Sequence, residues 1–415
     1  MRSVRHGAVA VLVGLALVAT ACGSSSKNGG DASSGTTLPA PTGTVLPIGW
    51  VGTLTTGPAA STQASDVLEV WVKWANSHGG VNGHPVKAFY KDDKGDPALG
   101  LTAVKELVET DHVIAIVAPG ALTEQTWADY VKQKNVPVVH GSLIDALWFT
   151  NPMFYPLGGT VIANIWGQMK AAAQLGAKTV GIVLCTDVAA CAQAQPLFNA
   201  DAKQVGLDPV YNALASRTQP SYTAECLAAK NAGAEAMAAF IDTVVFSRDC
   251  SRQNYHPIYI SSGMGPTAAV INTAPDLGNT AGSSPDFICL DTTIGPAADF
   301  NAALKAYGSA YAPGGSKRAQ VGQGACDSWV GGVGFAKAIT NANVPASATA
   351  TSADVIKGLS MFQGETLGGL TQPLTLSDGT KPNPQNNCIF LYKWKGTVIS
   401  SVPSAGAYTC QPPTG

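Results

Sequence analysis

The most reactive side chains of this sequence are nine cysteines, and their distribution sets the first chemical question. Cys22 stands apart near the start. Cys185, Cys191, Cys226, Cys250, Cys289, Cys326, Cys388 and Cys410 form an even set. Thiols ligate metals, attack as nucleophiles or oxidise in pairs. No Cys-x-x-Cys occurs, which disfavours a metal centre. An even number in an exported chain points to disulfides, and the shortest loops close most readily. That preference pairs Cys185 with Cys191, Cys226 with Cys250, Cys289 with Cys326, and Cys388 with Cys410. His78, His84, His112, His140 and His256 are scattered. His140, expected at a strand end, is the best candidate for contacting a ligand, although such a histidine is more often satisfied by nearby backbone. A Ser142, His140 and Asp145 hydrolase can be drawn, but residues so close in one segment rarely converge without a strained turn. Neither a Gly-x-Ser-x-Gly elbow, nor a phosphate loop, nor His-Glu-x-x-His is present. Asp92 and Asp93 read as solvated turn residues ahead of a capped helix. The residues thus nominate no catalytic group, no metal and no cofactor.

The elements that position these side chains follow from hydrophobic periodicity. From Val45 onward, short apolar runs alternate with amphipathic stretches, the pattern of βα units around a parallel sheet. Strands are expected at 45–51, 86–90, 113–117 and 136–140, with helices at 62–77, 97–110 and 123–134. In the first helix Val67, Val70, Trp71 and Trp74 recur at spacings of three and four and define one buried face. Asp96-Pro97 supplies an N-cap followed by proline at the first helical position. A second series begins after Tyr155, with helices at 161–175, 192–205, 224–232 and 244–254 and strands at 179–184, 209–211, 236–241 and 258–261. Helices at 296–311 and 326–340 and a hairpin around Lys395-Gly396 complete the chain. The fold class is α/β, and two lobes are expected because about 370 residues exceed what one core usually organises.

The start of the chain carries its own signal. Arg2 and Arg5 precede an apolar run from Ala8 to Val18, too short to remain as a spanning helix, and small residues lead to Cys22. Residues 1–22 resemble a bacterial lipoprotein signal, which implies acylation of Cys22 as the mature N-terminus and an anchor on the outer face of the cell membrane. Residues 23–43 read as a flexible tether. A formal charge of −2, with no basic cluster, disfavours nucleic-acid binding.

A family resemblance rests on Ile48-Gly49 through Gly57-Pro58, Gly79-Gly80-Val81-Asn82-Gly83, Lys91-Asp92-Asp93 with Asp96-Pro97, and Ile114-Ala115-Ile116-Val117. In order and spacing these pieces resemble the type I periplasmic binding proteins, leucine-isoleucine-valine branch. The resemblance implies an α/β fold of two Rossmann-like lobes with parallel sheets, joined by three hinge crossings placed near Leu157, Leu290 and Asn343. Lobe one would then comprise 44–157 plus 290–343, and lobe two 158–289 plus 344–415. It further implies a monomeric solute-binding protein that closes on a small ligand and hands it to an ABC permease, without chemical turnover. A ligand-sensing lipoprotein and a structural envelope lipoprotein are the alternatives.

In open parallel sheets the ligand crevice lies beyond the carboxyl ends of the strands. The expected lining is Thr55, Thr56, Gly120, Ala121, Leu122, Thr123, Gly141, Ser142, Leu143 and Tyr155 from lobe one. Asp242, Thr243, Phe246, Gly263 and Met264 face them from lobe two. By the resemblance, Ala121, Thr123 and Ser142 would hold a ligand carboxylate. The family's amino-acid binders carry an acid near Gly263 or Met264 for the ammonium, and here there is none; Asp242 is the substitute. With Trp148, Phe149, Tyr155 and Phe246 nearby, an amino-acid-like or more apolar or aromatic carboxylate is the expected ligand. Core packing accounts for each of these aromatics equally well.

Overall fold

The computed structural model describes residues 39–55, 62–120, 122–141, 143, 145–187, 189–263 and 265–412. The expectations for the signal and Cys22, for most of the tether, and for Thr56, Ala121, Ser142 and Met264 fall outside them.

The chain opens with β1 (Leu46–Gly52), α1 (Thr62–Ser77), β2 (Val86–Asp92), α2 (Pro97–Glu109), β3 (Ala115–Val117), α3 (Glu124–Lys134), β4 (Val138–Val139), α4 (Leu147–Thr150) and β5 (Phe154–Tyr155). The five strands form a parallel sheet in the order β2-β1-β3-β4-β5. The central strand β1 is buried along almost its whole length, as a strand covered on both faces must be. Helix α2 starts where expected: the Asp96 carboxylate accepts the Ala98 and Leu99 N–H groups, and Pro97 occupies a position that has no N–H to offer.

The second sheet follows from α5 (Val161–Gln174), β6 (Thr179–Cys185), α6 (Ala189–Gln193), α7 (Gln195–Gln204), β7 (Asp208–Ala215), α8 (Thr223–Asn231), β8 (Ala236–Ala239), α9 (Thr243–Arg252), β9 (Ile258–Ser262), α10 (Ala268–Thr273) and β10 (Thr280–Ser284). Next come α11 (Ala297–Tyr307), α12 (Gln323–Ala342), α13 (Ser352–Ser360), a small hairpin of β11 (Gln363–Glu365) and β12 (Leu374–Thr375), then β13 (Cys388–Lys395), β14 (Val398–Val402) and β15 (Tyr408–Cys410). The order β14-β13-β10-β9-β8-β6-β7 is parallel through β10 and antiparallel where β13 joins it. Strand β10 was not expected. Its sequence, Thr-Ala-Gly-Ser-Ser, has no large apolar side chain, yet all five residues are buried. Small side chains let α5 approach: a Cβ on Gly167 would lie 3.0 Å from Ser283.

Three segments cross between the lobes side by side. The Gly159 N–H donates to the Pro285 carbonyl at 2.9 Å, and the Thr160 N–H to Asn386 at 2.9 Å. Gln372 bridges two crossings, its Nε2 donating to Pro285 and Cys388 carbonyls at 2.7 Å each. The crossing expected near Asn343 is therefore displaced. Helix α13 packs along α12, Asn82 donates to the Val344 carbonyl, and Asn383 donates to the Phe154 carbonyl. Residues 344–383 thus lie against the first sheet's layers, and the return to the second sheet occurs at 386–388. Asn343 does end a helix in a left-handed conformation, but a helix end is not a lobe boundary.

The cysteine pairs are Cys185–Cys191, Cys226–Cys250, Cys289–Cys326 and Cys388–Cys410, the expected sequence neighbours. Among the described residues no helix is long and apolar enough to cross a membrane.

Candidate functional site

At the carboxyl ends of β1, β2 and β3, three loops are tied together by the aspartate pair. Asp93 is fully buried, accepting the Thr53 hydroxyl at 2.8 Å, the Thr123 hydroxyl at 2.9 Å and the Gly95 N–H at 2.8 Å. Asp92 accepts the Leu54 N–H at 2.9 Å, the Lys94 N–H at 3.0 Å and the Thr55 hydroxyl. Burial pushes the Asp92 carboxyl up, but these donors outweigh it and hold the group below its ordinary range. The pair is therefore not a solvated turn: it fixes the rim of the site. As a consequence, the Thr123 hydroxyl is engaged inside the protein rather than offered to a ligand.

The strand ends themselves are bent. Ala118 and His140, just beyond β3 and β4, adopt φ of +47° and +55°. Such conformations cost of order 1–3 kcal/mol in non-glycine residues and gather where a fold over-determines its backbone. Gly52 and Gly120 form a bridge that brings the first two loops together, and a Cβ on Gly52 would meet Trp50 at 2.6 Å.

The remaining expected residues divide by environment. Thr55 and Leu122 are exposed at loop tips, Leu122 at 68%, and Gly120 is partly open. Beyond the strand ends of the second sheet, Asp242 is exposed and caps α9, its Oδ1 accepting the Val244 and Val245 N–H groups at 3.0 Å each; Thr243 and Gly263 are partly open. The others are interior. Phe246 is fully buried between Tyr222 and Tyr259, and Tyr155 is fully buried with its hydroxyl beside Gly379. Trp148 packs edge-on against Phe154, Gly141 lies under the Trp148 ring, and Leu143 packs at Gly158. Strand periodicity cannot separate a side chain lining a cleft from one lining the core beneath it, and of the two readings left open for Trp148, Tyr155 and Phe246 their burial fits core packing.

No motif or spacing in the sequence singles out three buried acids, Glu124, Asp286 and Asp327. Glu124 opens α3 at 4% exposure, and burial, then the nearby Asp145 charge, pushes its carboxyl well above the ordinary range. Deeper still lies a cluster of His140, Asp286 and Asp327, whose ligand atoms all fall within 4.8 Å of one another. His140 Nε2 donates to Asp286 at 2.9 Å, while its Nδ1 accepts the Leu157 N–H at 3.2 Å. That pattern puts the ring proton on Nε2. A metal at Nε2 would leave the neutral ring without a lone pair for Leu157 or force a second deprotonation, so the trio is a hydrogen-bond network rather than a metal centre. The strand-end histidine is thus satisfied from backbone on one side and carboxylate on the other.

A sequence profile described as "Periplasmic binding protein" matches residues 45–398. The structure is similar to an ABC transporter substrate-binding protein from Aeropyrum pernix, with TM-score 0.68, 15% identity, and coverage of 89% of this chain and 96% of that one. It is similar to a branched chain amino acid ABC transporter protein from Thermus thermophilus with bound valine (0.66, 14%, 88% and 97%). A fatty acid ABC transporter substrate-binding protein from Thermomonospora curvata is also similar (0.62, 14%, 88% and 92%). At such identities the likeness is one of fold. No curated protein matches the sequence.

Proposed function

We propose, from the premise that this chain belongs to the periplasmic binding protein family, that it is the lipid-anchored capture protein of an ABC importer for a small carboxylate with an apolar or aromatic body. The family binds ligands outside the cytoplasm and does not transform them. The observation that carries the reading is the pair of α/β sheets, the first parallel and the second parallel through β10, joined by three short crossings, an arrangement in which a ligand crevice beyond the strand ends is expected. A ligand touching both lobes is fully contacted only when they close, so binding shifts the population toward closure, which a permease can recognise.

The ligand class follows from charge. Burying an ammonium without a counter-charge is costly. No acid stands at 263, Asp242 has one oxygen engaged in its helix cap, and Asp92 and Asp93 are occupied by loop donors. The exposed Leu122 at the rim favours an apolar body. Valine and fatty acids, the ligands named for two structural neighbours, both join a carboxylate to an apolar chain, which agrees with this class though not with a particular member. Cys22 is proposed to carry the acyl anchor, residues 23–43 to be the tether, and the permease to be the partner of a monomer.

Mass spectrometry of small molecules carried through native purification tests the reading. A stoichiometric carboxylate whose removal expands the protein in solution scattering is the expected result. A compound consumed during incubation, or a protein that neither carries nor responds to any carboxylate in a broad panel, would refute it.

A further inference from the structure

The His140 cluster joins the two lobes. Ser284 ends β10 in the second sheet, whereas Gln323 and Asp327 lie in the first turns of α12, which packs against β3 and β4 of the first. Gln323 is the contact between them. Its Nε2 donates to Asp286 and Asp327 at 2.7 Å each, and its Oε1 accepts the Ser284 hydroxyl at 2.8 Å. Gly263 of the second lobe also lies beside the Gln323 side chain, and Thr267 beside Gly322. The Cys289–Cys326 disulfide fastens the chain after Asp286 to the helix carrying Asp327, so the two carboxyls are held together by covalent structure.

We propose that the Asp286–Asp327 pair is a proton-binding site that sets a latch between the lobes, with Gln323 as the positioning residue that makes the cross-lobe contact. The argument begins with charge balance. Both carboxyls are buried, Asp286 completely, and among the described residues no lysine or arginine pairs with either. The only neighbouring titratable group is His140, whose single proton already sits on Nε2 facing Asp286. Charged groups on the surrounding elements are engaged elsewhere: Asp66 of α1 with Tyr311, Glu69 with Tyr90, Asp354 of α13 with Thr351, and Lys337 of α12 with Glu365. Two ionised carboxylates in contact without a cation are unfavourable, so the pair holds one proton between them. Burial, followed by the charge of Asp286, accordingly pushes the Asp327 carboxyl well above the ordinary range.

Gln323 donates one N–H to each carboxyl and its oxygen accepts the Ser284 hydroxyl; that donation favours the charged form of Asp327 but is outweighed by burial and by the charge of Asp286. Removing the proton sets the carboxylates against each other, and hydration through opening of the lobes relieves the repulsion. The closed form therefore binds the proton more tightly than the open, hydrated form. Closure is favoured at low pH and lost as pH rises through the raised titration of Asp327. This inference rests on the two-lobe fold and not on the ligand's identity.

Solution scattering on the full, ligand-free chain from pH 5 to pH 9, read beside carbon NMR of the aspartate carboxyls, tests it. The expected result is an upward shift in radius of gyration that coincides with a raised aspartate titration that disappears in Asp327→Asn, which distinguishes it from that of Asp201, pushed up to about 6 by its own burial. Asp327→Asn, whose amide mimics the protonated acid, should stay compact throughout, and Gln323→Leu should be expanded at every pH. A radius independent of pH in the native chain, a shift retained in Asp327→Asn, or the lack of a raised titration that Asp327→Asn abolishes would overturn the proposal. Should Asp327→Asn fail to fold, the native titration and Gln323→Leu still decide.

Discussion

Residues that looked alike in sequence do opposite work here, and the difference is set by what surrounds each one. Asp92, Asp93, Glu124, Asp286 and Asp327 are all acids near strand or helix ends. The first two are saturated with donors from adjoining loops, which makes them supports of the rim. Glu124 is not saturated in this way: its Oε1 is buried without a hydrogen-bond partner. Because its folded-state affinity for a proton exceeds that of the unfolded chain, its protonated form favours the native state at low pH. That stability is lost as pH rises from the ordinary carboxylate range toward its raised folded value. Glu124→Gln should therefore match the native chain near pH 4 and exceed it at pH 8 by about 1–2 kcal/mol, the scale of an uncompensated buried polar group. Urea unfolding at the two pH values is the check, and equal differences at both would refute the assignment.

Between elements, close approach matters more than hydrophobicity. Helix α13 begins with a reciprocal cap, Thr351 accepting the Asp354 N–H while the Asp354 side chain accepts the Thr351 N–H, and then crosses α12 at Gly358. A Cβ on Gly358 would stand 1.8 Å from the Ala338 carbonyl oxygen. Gly358→Ala must separate the helices and should cost about 3 kcal/mol, measured as a lower urea midpoint. Gly295→Ala, with open space around its Cβ position, serves as the control and should change little. A Gly358 variant as stable as that control would show that α13 is not held against α12 as described. The same crossing explains why 344–383 belongs beside the first sheet, against the expectation from chain order.

For the molecule as a whole, stability and ligand capture should be linked. A ligand that binds only the folded, closable chain adds RT ln(1 + [L]/Kd), about 2.7 kcal/mol at a hundredfold excess over Kd. Thermal unfolding with an identified carboxylate should show this rise, and Asp93→Ala, which releases the rim loops, should reduce it. A ligand that leaves the melting temperature unchanged at saturating concentration would contradict capture by the folded cleft. The alternation of βα units, the limits of α1 at Thr62–Ser77 and the pairing of neighbouring cysteines were legible from one-dimensional pattern alone, because periodicity, capping and loop length act locally. Tertiary structure alone decided that Thr-Ala-Gly-Ser-Ser is a central strand, that Phe246 and Tyr155 face the core, and that His140, Asp286, Gln323 and Asp327 meet. Those outcomes depend on contacts between separate segments, such as His140 with Asp286 and β10 with β13, and no local property of a side chain encodes which distant neighbour will desolvate or satisfy it.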